Sequence, residues 1–372
     1  MILYFSATGN SEHVARRIAA ATSDKVMSTE RFDAEILHLA VMEGPCRLGF
    51  VAPVYAWGLP TPMIEFLKTV DLSVAPGTKG GERPYTFYVS TYGSTTGQSA
   101  KFARDLLHER GLELDAAMSV KMPDTWTPVF DLSDPQKVEG INRAAEAQID
   151  AVIEAVRARR TGNMMRHRVP LFASCAYHAI GLPRMQQTSK FAVDADRCIG
   201  CGLCAKRCPM AAIEMRDGLS VWTKPECAAC LRCLHCCPKF AISHGKRTAS
   251  HGQYRHPKPG VRMWRLLPFS KTHEERSRAR PHPYGPARLS FRVSSAQWRW
   301  CFAQAKTSTT QVRMAVATSE SVCLMPHLAR TDVMPAKKAD TNAAATHDTG
   351  EMPPQRTTAP DLRRSSDDTV PP

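Results

Sequence analysis

The chain opens "MILYFSATGNS" (Met1–Ser11), and the reading of these residues decides the fold. The run Met1–Phe5 is apolar, short and followed at once by small polar residues, so it reads as a buried strand. It passes without a linker into "SEHVARRIAAATS" (Ser11–Ser23), where Val14, Ile18 and the neighbouring alanines share one helix face. A buried strand turning straight into a helix starts a parallel sheet covered on both faces. The alternation then repeats. "CRLGFVAPVY" (Cys46–Tyr55) precedes "TPMIEFLKTV" (Thr61–Val70), with Pro62 early in its helix. "PYTFYVSTYG" (Pro84–Gly93) precedes "GQSAKFARDLLHERG" (Gly97–Gly111), and "AAMSVKMP" (Ala116–Pro123) precedes a long helix over Pro135–Arg160. The strand expected after the first helix falls on "DKVMSTERFDAEI" (Asp24–Ile36), which is ambiguous. Residues 1–160 are therefore predicted to form a doubly wound α/β domain.

The loops at the strand ends carry the candidate chemistry, because open α/β sheets bind ligands beyond the carboxyl ends of their strands. Ser6, Ala7, Thr8, Gly9, Asn10 and Ser11 offer hydroxyls, an amide and a permissive turn at a helix N-terminus, which suits a phosphate monoester. The Lys-Ser/Thr ending of a Walker loop is absent, and simple helix capping is the bland alternative. The second loop holds Pro53, Tyr55, Trp57 and Gly58, and the third holds Thr91, Tyr92, Gly93 and Ser94. Each sets aromatics among small residues, so a flat ring could lie between Tyr55, Trp57 and Tyr92.

Farther along, "CIGCGLCAKRCP" (Cys198–Pro209) and "CAACLRCLHCCP" (Cys227–Pro238) each read C-x2-C-x2-C-x3-C-P. Three closely spaced thiolates wrap one iron–sulfur cubane, and the fourth, turned away by its proline, reaches across to the other. Cys198, Cys201, Cys204 and Cys237 are thus expected on one [4Fe–4S] cluster, and Cys227, Cys230, Cys233 and Cys208 on the second. A pair of zinc sites is the alternative, although zinc sites use two separated cysteine pairs. Cys236 breaks the rhythm and is expected to be buried filler. Cys46, Cys175, Cys301 and Cys323 carry no expected chemistry.

Taken together, "SATGNS", "PVYAWGLP", "KMPDTWTP" (Lys121–Pro128), the cysteine motifs and "GKRTASHGQYRHP" (Gly245–Pro257) resemble flavodoxin–ferredoxin fusion proteins. The resemblance covers roughly residues 1–260. It implies FMN, with its phosphate in the first loop and its ring between the other two, and two [4Fe–4S] clusters. It divides the chain into a flavodoxin-like domain (1–160), a connector (161–193), a small α+β ferredoxin domain (194–245) and a tail (246–372). The tail is rich in Ser, Thr, Ala, Pro and Arg without periodicity, a composition that predicts disorder.

The net charge is +14, from 49 Lys and Arg against 35 Asp and Glu. Half of that excess lies beyond residue 260, scattered and without interleaved aromatics, which argues against nucleic-acid binding. No stretch reads as a membrane span or an export signal, so the expected compartment is the cytoplasm, where clustered cysteines signify metal or redox chemistry. Arg197, Lys206, Arg207, Lys224, Arg232 and Lys239 crowd the cysteine motifs and are candidates for docking an acidic redox partner. Three functions follow: an electron carrier, a flavoenzyme reducing a small substrate, or a binding module with an empty flavin site.

Overall fold

A computed structural model describes residues 1–37, 47–72 and 83–257 of the 372. Cys46, Cys301, Cys323 and residues 258–372 of the tail expected from residue 246 lie outside the described residues, whereas residues 246–257 of that tail are ordered by hydrogen bonds such as those of Gln253 and Tyr254. The chain divides into two units, Met1–Thr309 and Thr310–Pro372, and all that follows concerns the first.

Six strands form one sheet: β1 (Ile2–Tyr4), β2 (Val26–Ser28), β3 (Arg47–Pro53), β4 (Tyr85–Tyr92), β5 (Ala116–Lys121) and β6 (Gly162–Asn163). Their order is β2-β1-β3-β4-β5-β6, and every neighbouring pair is parallel. This is the flavodoxin-like doubly wound order, extended by one short edge strand. The ambiguous stretch after the first helix supplies β2, in register Ile2 to Val26. Among the described residues the sheet is covered by α1 (Asn10–Thr22), α2 (Thr61–Thr69), α3 (Ser99–His108) and α4 (Pro135–Arg157).

The period of two along each strand divides the core into two layers. Leu3, Phe5, Phe50, Ala52, Tyr88 and Ala117 face Met63, Phe66 and Leu67 of α2 and Ala103 and Leu107 of α3. Ile2, Tyr4, Val51, Phe87, Val89, Met118 and Val120 face Val14 and Ile18 of α1 and Ile149, Val152 and Val156 of α4. All eight residues of β4 are buried, which is why its sequence carries no charged residue. Each large side chain so buried stabilises the fold by roughly 1.5–3 kcal/mol. The Asp134 side chain caps α4 by accepting from the Gln136 and Lys137 amides, with Pro135 in the first turn.

The connector is structured. After β6 it forms α5 (Leu171–Gln186), which lies over the loop following β3. The Ser174 hydroxyl donates to the Trp57 carbonyl at 2.7 Å, and the Gln186 amide donates to the Thr61 hydroxyl at 2.7 Å. His178 stacks on Phe102 with ring centres 5.1 Å apart.

The cysteine-rich region contains β7 (Phe191–Val193), α6 (Leu203–Lys206), β8 (Ile213–Arg216), β9 (Leu219–Trp222), α7 (Arg232–Cys236) and β10 (Ile242–His244). β7 pairs antiparallel with β10, and β8 with β9. The region is internally duplicated at an offset of 29 residues, from Cys198 to Cys227 and from Cys208 to Cys237. The backbone repeats with the cysteines. Left-handed residues fall at Gly200 and Ala229 (φ 64° and 53°), Gly202 and Leu231 (67° and 51°), and Ala211 and Phe240 (46° and 50°).

Candidate functional site

Three loops predicted to act together meet at the carboxyl ends of the adjacent strands β1, β3 and β4. In the first, Gly9 takes φ 104° at the N-cap of α1, and no side chain caps the helix. The helix dipole and its first amides thus meet no side-chain cap. A side chain at position 9 would press on the Cβ of His256 at 2.9 Å, so both conformation and space require glycine there. The loop is stiffened from within, because the Gly9 amide donates to the Ser6 hydroxyl at 3.1 Å. Ser11 and Thr91 join hydroxyls at 2.7 Å, linking it to the end of β4. Asn10 is buried with both ends of its amide engaged. Its Nδ2 donates to the Pro123 carbonyl at 3.2 Å, and its Oδ1 accepts from the Tyr254 hydroxyl at 2.8 Å. Asn10 therefore shapes the loop, with its oxygen and one of its two Nδ2 hydrogens engaged.

The second loop is a tight turn in which Tyr55 and Gly58 exchange backbone hydrogen bonds at 3.1 and 2.9 Å. Ala56 and Trp57 both adopt left-handed backbone, at φ 45° and 63°, a strained arrangement for non-glycine residues. The Trp57 carbonyl anchors the strain by accepting from the Gln98 amide at 3.0 Å as well as from Ser174. Gly97, at φ 55°, makes this possible, because any Cβ there would run into the Trp57 carbonyl. The Trp57 ring tilts against Tyr177 at 4.5 Å, and Tyr92 against His167 at 5.9 Å. Gly93 admits Asp124 to the third loop, while Ser94 is exposed.

Tyr177, His167 and Asp124 were not singled out by sequence. The first two sit in the connector, and Asp124 is one polar residue of "KMPDTWTP". Burial raises the Asp124 carboxyl to about 6, against a stabilising bond from the Trp126 amide. The folded state thus binds more protons than the unfolded chain above about pH 4, so stability falls as pH rises toward 6. Asp124→Asn is expected to remove this decline, on the order of 2 kcal/mol across that window. Denaturant unfolding of flavin-free protein at several pH values reads it directly, and an unchanged slope in the variant would rule the assignment out.

The eight motif cysteines are all free thiols, and the Glu226 and Glu30 carboxylates lie near enough to Cys227 and Cys230 to disfavour their thiolates further. Cys208 comes from the first motif, yet its electrostatic neighbours are Cys227, Cys230 and Cys233 of the second. Burial, reinforced by neighbouring thiols, pushes Cys227 up to about 12 and Cys233 well above its usual range. Burial likewise holds Cys230 at about 11, although the nearby Arg232 cation opposes it. Such secluded thiols ionise only when a strong cationic group repays the cost. The Ala212, Ala229 and Ala241 amides donate to the sulfurs of Cys208, Cys227 and Cys237 at 3.3, 3.4 and 3.3 Å. Amides aimed at sulfur are a fitting environment for iron–sulfur clusters. Among the described residues no three His, Cys, Asp or Glu side chains close round a single metal ion, so the fit rests on spacing, seclusion and these bonds. Cys198 is half-buried and Cys201 exposed, next to Ile199, which is 59% exposed. Cys236 is buried and, like Cys175, outside the rhythm.

The two cysteine motifs differ in how they meet the sheet domain. Cys230 packs against the core layer that also holds Tyr55. The Arg232 guanidinium donates to the Ser6 carbonyl at 2.8 Å, pairs with Glu30 at 2.6 Å and lies 5.6 Å from the Phe5 ring centre. Arg232, proposed from sequence for partner docking, is thus turned inward. Lys224 donates to the Met210 carbonyl, and Arg207 is lowered to about 10 by burial. Arg197, Lys206 and Lys239 are exposed.

Residues 1–151 match the flavodoxin domain family, and residues 191–214 match the 4Fe–4S binding domain family. The two matches in one chain support a flavodoxin–ferredoxin fusion and, in general terms, an electron-transfer flavo-iron–sulfur protein. Among solved structures it is similar to the flavodiiron core of Flv1 from Synechocystis sp. PCC6803, with 16% identity and TM-score 0.25 over 41% of this chain. The match spans 36% of that protein. A flavodoxin from the domain Archaea matches at 14% identity and TM-score 0.27, over 42% of this chain and 96% of its own. Megasphaera elsdenii flavodoxin matches at 21% and 0.24, over 33% and 87% respectively. The fold assignment rests on strand order and the domain match rather than on these likenesses. No curated protein matches the chain. No helix among the described residues is long and apolar enough to cross a membrane.

Proposed function

We propose that the protein relays electrons between FMN, two [4Fe–4S] clusters and an external redox partner. The observation that carries this reading is the grouping of Cys208 with Cys227, Cys230 and Cys233, beside the layer that holds Tyr55. When bound, FMN exchanges one or two electrons and each cluster exchanges one, so the pair converts between the two kinds of traffic. The 4Fe–4S family match covers the first motif alone. The second cluster is supported by the 29-residue duplication, which repeats the ligands and the left-handed turns together.

Within this scheme the phosphate would lie against Ser6–Ser11, and the ring between Tyr55 and Trp57 on one side and Thr91–Ser94 on the other. The cluster on Cys208, Cys227, Cys230 and Cys233 would face the flavin. The other, on Cys198, Cys201, Cys204 and Cys237, would face outward beside Ile199. Arg197, Lys206 and Lys239 would guide an acidic partner to that face, so transfer rates should fall as salt rises. Free thiols in this number suit a reducing, cytoplasmic compartment.

Anaerobic purification followed by stepwise reduction, monitored by absorbance and EPR, tests the scheme. One FMN and about eight irons per chain are expected. Zinc in place of iron, or absence of acid-labile sulfide, would overturn it. Asp124 favours one further reading: a buried carboxyl holding its proton to about pH 6, beside Tyr55 and Tyr177, could serve as an acid toward a small substrate. Multiple turnovers with a small acceptor, lost in Asp124→Asn, would establish that enzyme.

A further inference from the structure

The segment that leaves the iron–sulfur region after β10 returns to the sheet domain and crosses the first loop. The His256 amide donates to the Thr8 carbonyl at 2.9 Å, and its ring stacks on His13 at 4.2 Å. Two residues earlier, the buried Tyr254 donates its hydroxyl toward Asn10 Oδ1 at 2.8 Å and Asn142 Oδ1 of α4 at 2.9 Å. Its amide donates to His235 Nδ1 at 3.1 Å, and His235 Nε2 donates in turn to the Thr125 carbonyl at 2.9 Å. Gln253 donates to the carbonyls of Leu234 and Cys237 at 2.5 and 2.9 Å. One short strap therefore ties α7, with its cysteines, to the loop read as the phosphate site.

We propose that Tyr254 is a positioning residue for the flavin phosphate: acting through Asn10, it holds the Thr8–Ser11 backbone in the shape that receives the phosphate. Asn10 cannot do this alone. Its Nδ2 anchors it to Pro123, but its oxygen would otherwise be buried without a donor, and such a group pulls the side chain toward other partners. The loop has no lysine or arginine to draw in the phosphate by charge, so its affinity depends on how well its amides and hydroxyls are preorganised. The strap supplies that order from the far end of the sequence. The iron–sulfur region is thereby a structural part of the flavin site as well as its electron partner.

The proposal rests on the reading of Ser6–Ser11 as an FMN phosphate site, and one comparison separates the two. Full-length protein, stripped of flavin anaerobically with its iron retained, is titrated with FMN and with riboflavin, which has the same ring but no phosphate. Tyr254→Phe is expected to weaken FMN about three- to tenfold, the worth of one buried hydrogen bond, and to leave riboflavin within about twofold. Asn142→Ala, which removes the acceptor competing with Asn10 for the one hydroxyl proton, is expected to leave FMN binding within about twofold. Equal weakening of both flavins by Tyr254→Phe would make Tyr254 a general packing residue and overturn the proposal, as would no change in its FMN binding. If the wild-type protein binds neither flavin, or both equally, the phosphate-site reading itself fails.

Discussion

Replacing Cys208 by alanine is expected to destroy the cluster of the second motif, although Cys208 belongs by sequence to the first. The reason is reach. Cys208 stands at the end of α6 with its sulfur among Cys227, Cys230 and Cys233, and its proline turns the chain away. Iron content should fall from about eight to about four per chain. The surviving EPR signal should match that of Cys227→Ala, while Cys237→Ala should match Cys198→Ala. If Cys208→Ala instead reproduced the Cys198→Ala spectrum, each motif would hold its own cluster and the crossing would be wrong. This comparison needs no assignment of either signal in advance, because the four variants sort themselves into pairs.

Removing Glu30 should have the largest effect on stability. Arg232 is enclosed by Phe5, the Ser6 carbonyl, the Arg207 carbonyl and Glu30, whose carboxylate takes both guanidinium nitrogens at 2.6 and 2.7 Å. Desolvation would lower Arg232, but the Glu30 carboxylate holds it far above its usual value. Glu30→Ala leaves a cation buried with no counter-charge, a loss of about 3 kcal/mol where the pair is mostly shielded from water. Thermal unfolding of the anaerobic protein should shift down on the order of 5–10 °C. The double variant Glu30→Leu with Arg232→Met should lose less than either single change, since neither charge is then stranded. A Glu30→Ala protein melting within a degree or two of wild type would show that water reaches the pair freely.

Much of this molecule was legible before its structure. The strand–helix alternation foretold the sheet because burial on both faces leaves strands without charge, as in β4, and apolar runs such as Met1–Phe5. That the three candidate loops lie together was legible because a doubly wound sheet brings successive strand ends to one edge. β2 was not, because its three residues are only half-buried at the sheet edge and carry little pattern. The connector helix was hidden by Pro183 within it and by an apolar surface on more than one side.

The charged and polar residues of the motifs separate along a different line. Six basic residues near the cysteines looked equivalent, yet Arg232 forms a buried pair with a residue some two hundred positions away, while Lys239 remains exposed. Asn10, read from sequence as a candidate phosphate contact, is also held by Pro123 and Tyr254. Tyr177 and His167 carry no local signal, and Asp124 is marked only as one residue of the Lys121–Pro128 stretch.

What the sequence determined by itself is therefore whatever depends on neighbours within a few residues: strand and helix periods, the turn at Gly9, and the cysteine cadence. What only the tertiary structure decided is the pairing of Arg232 with Glu30, the seating of Tyr254 on Asn10, and the protonation of Asp124. The worth of a charge or a hydroxyl depends on the water removed from it and the partner brought to it. Both are delivered by segments remote in the chain, so no window of sequence contains them.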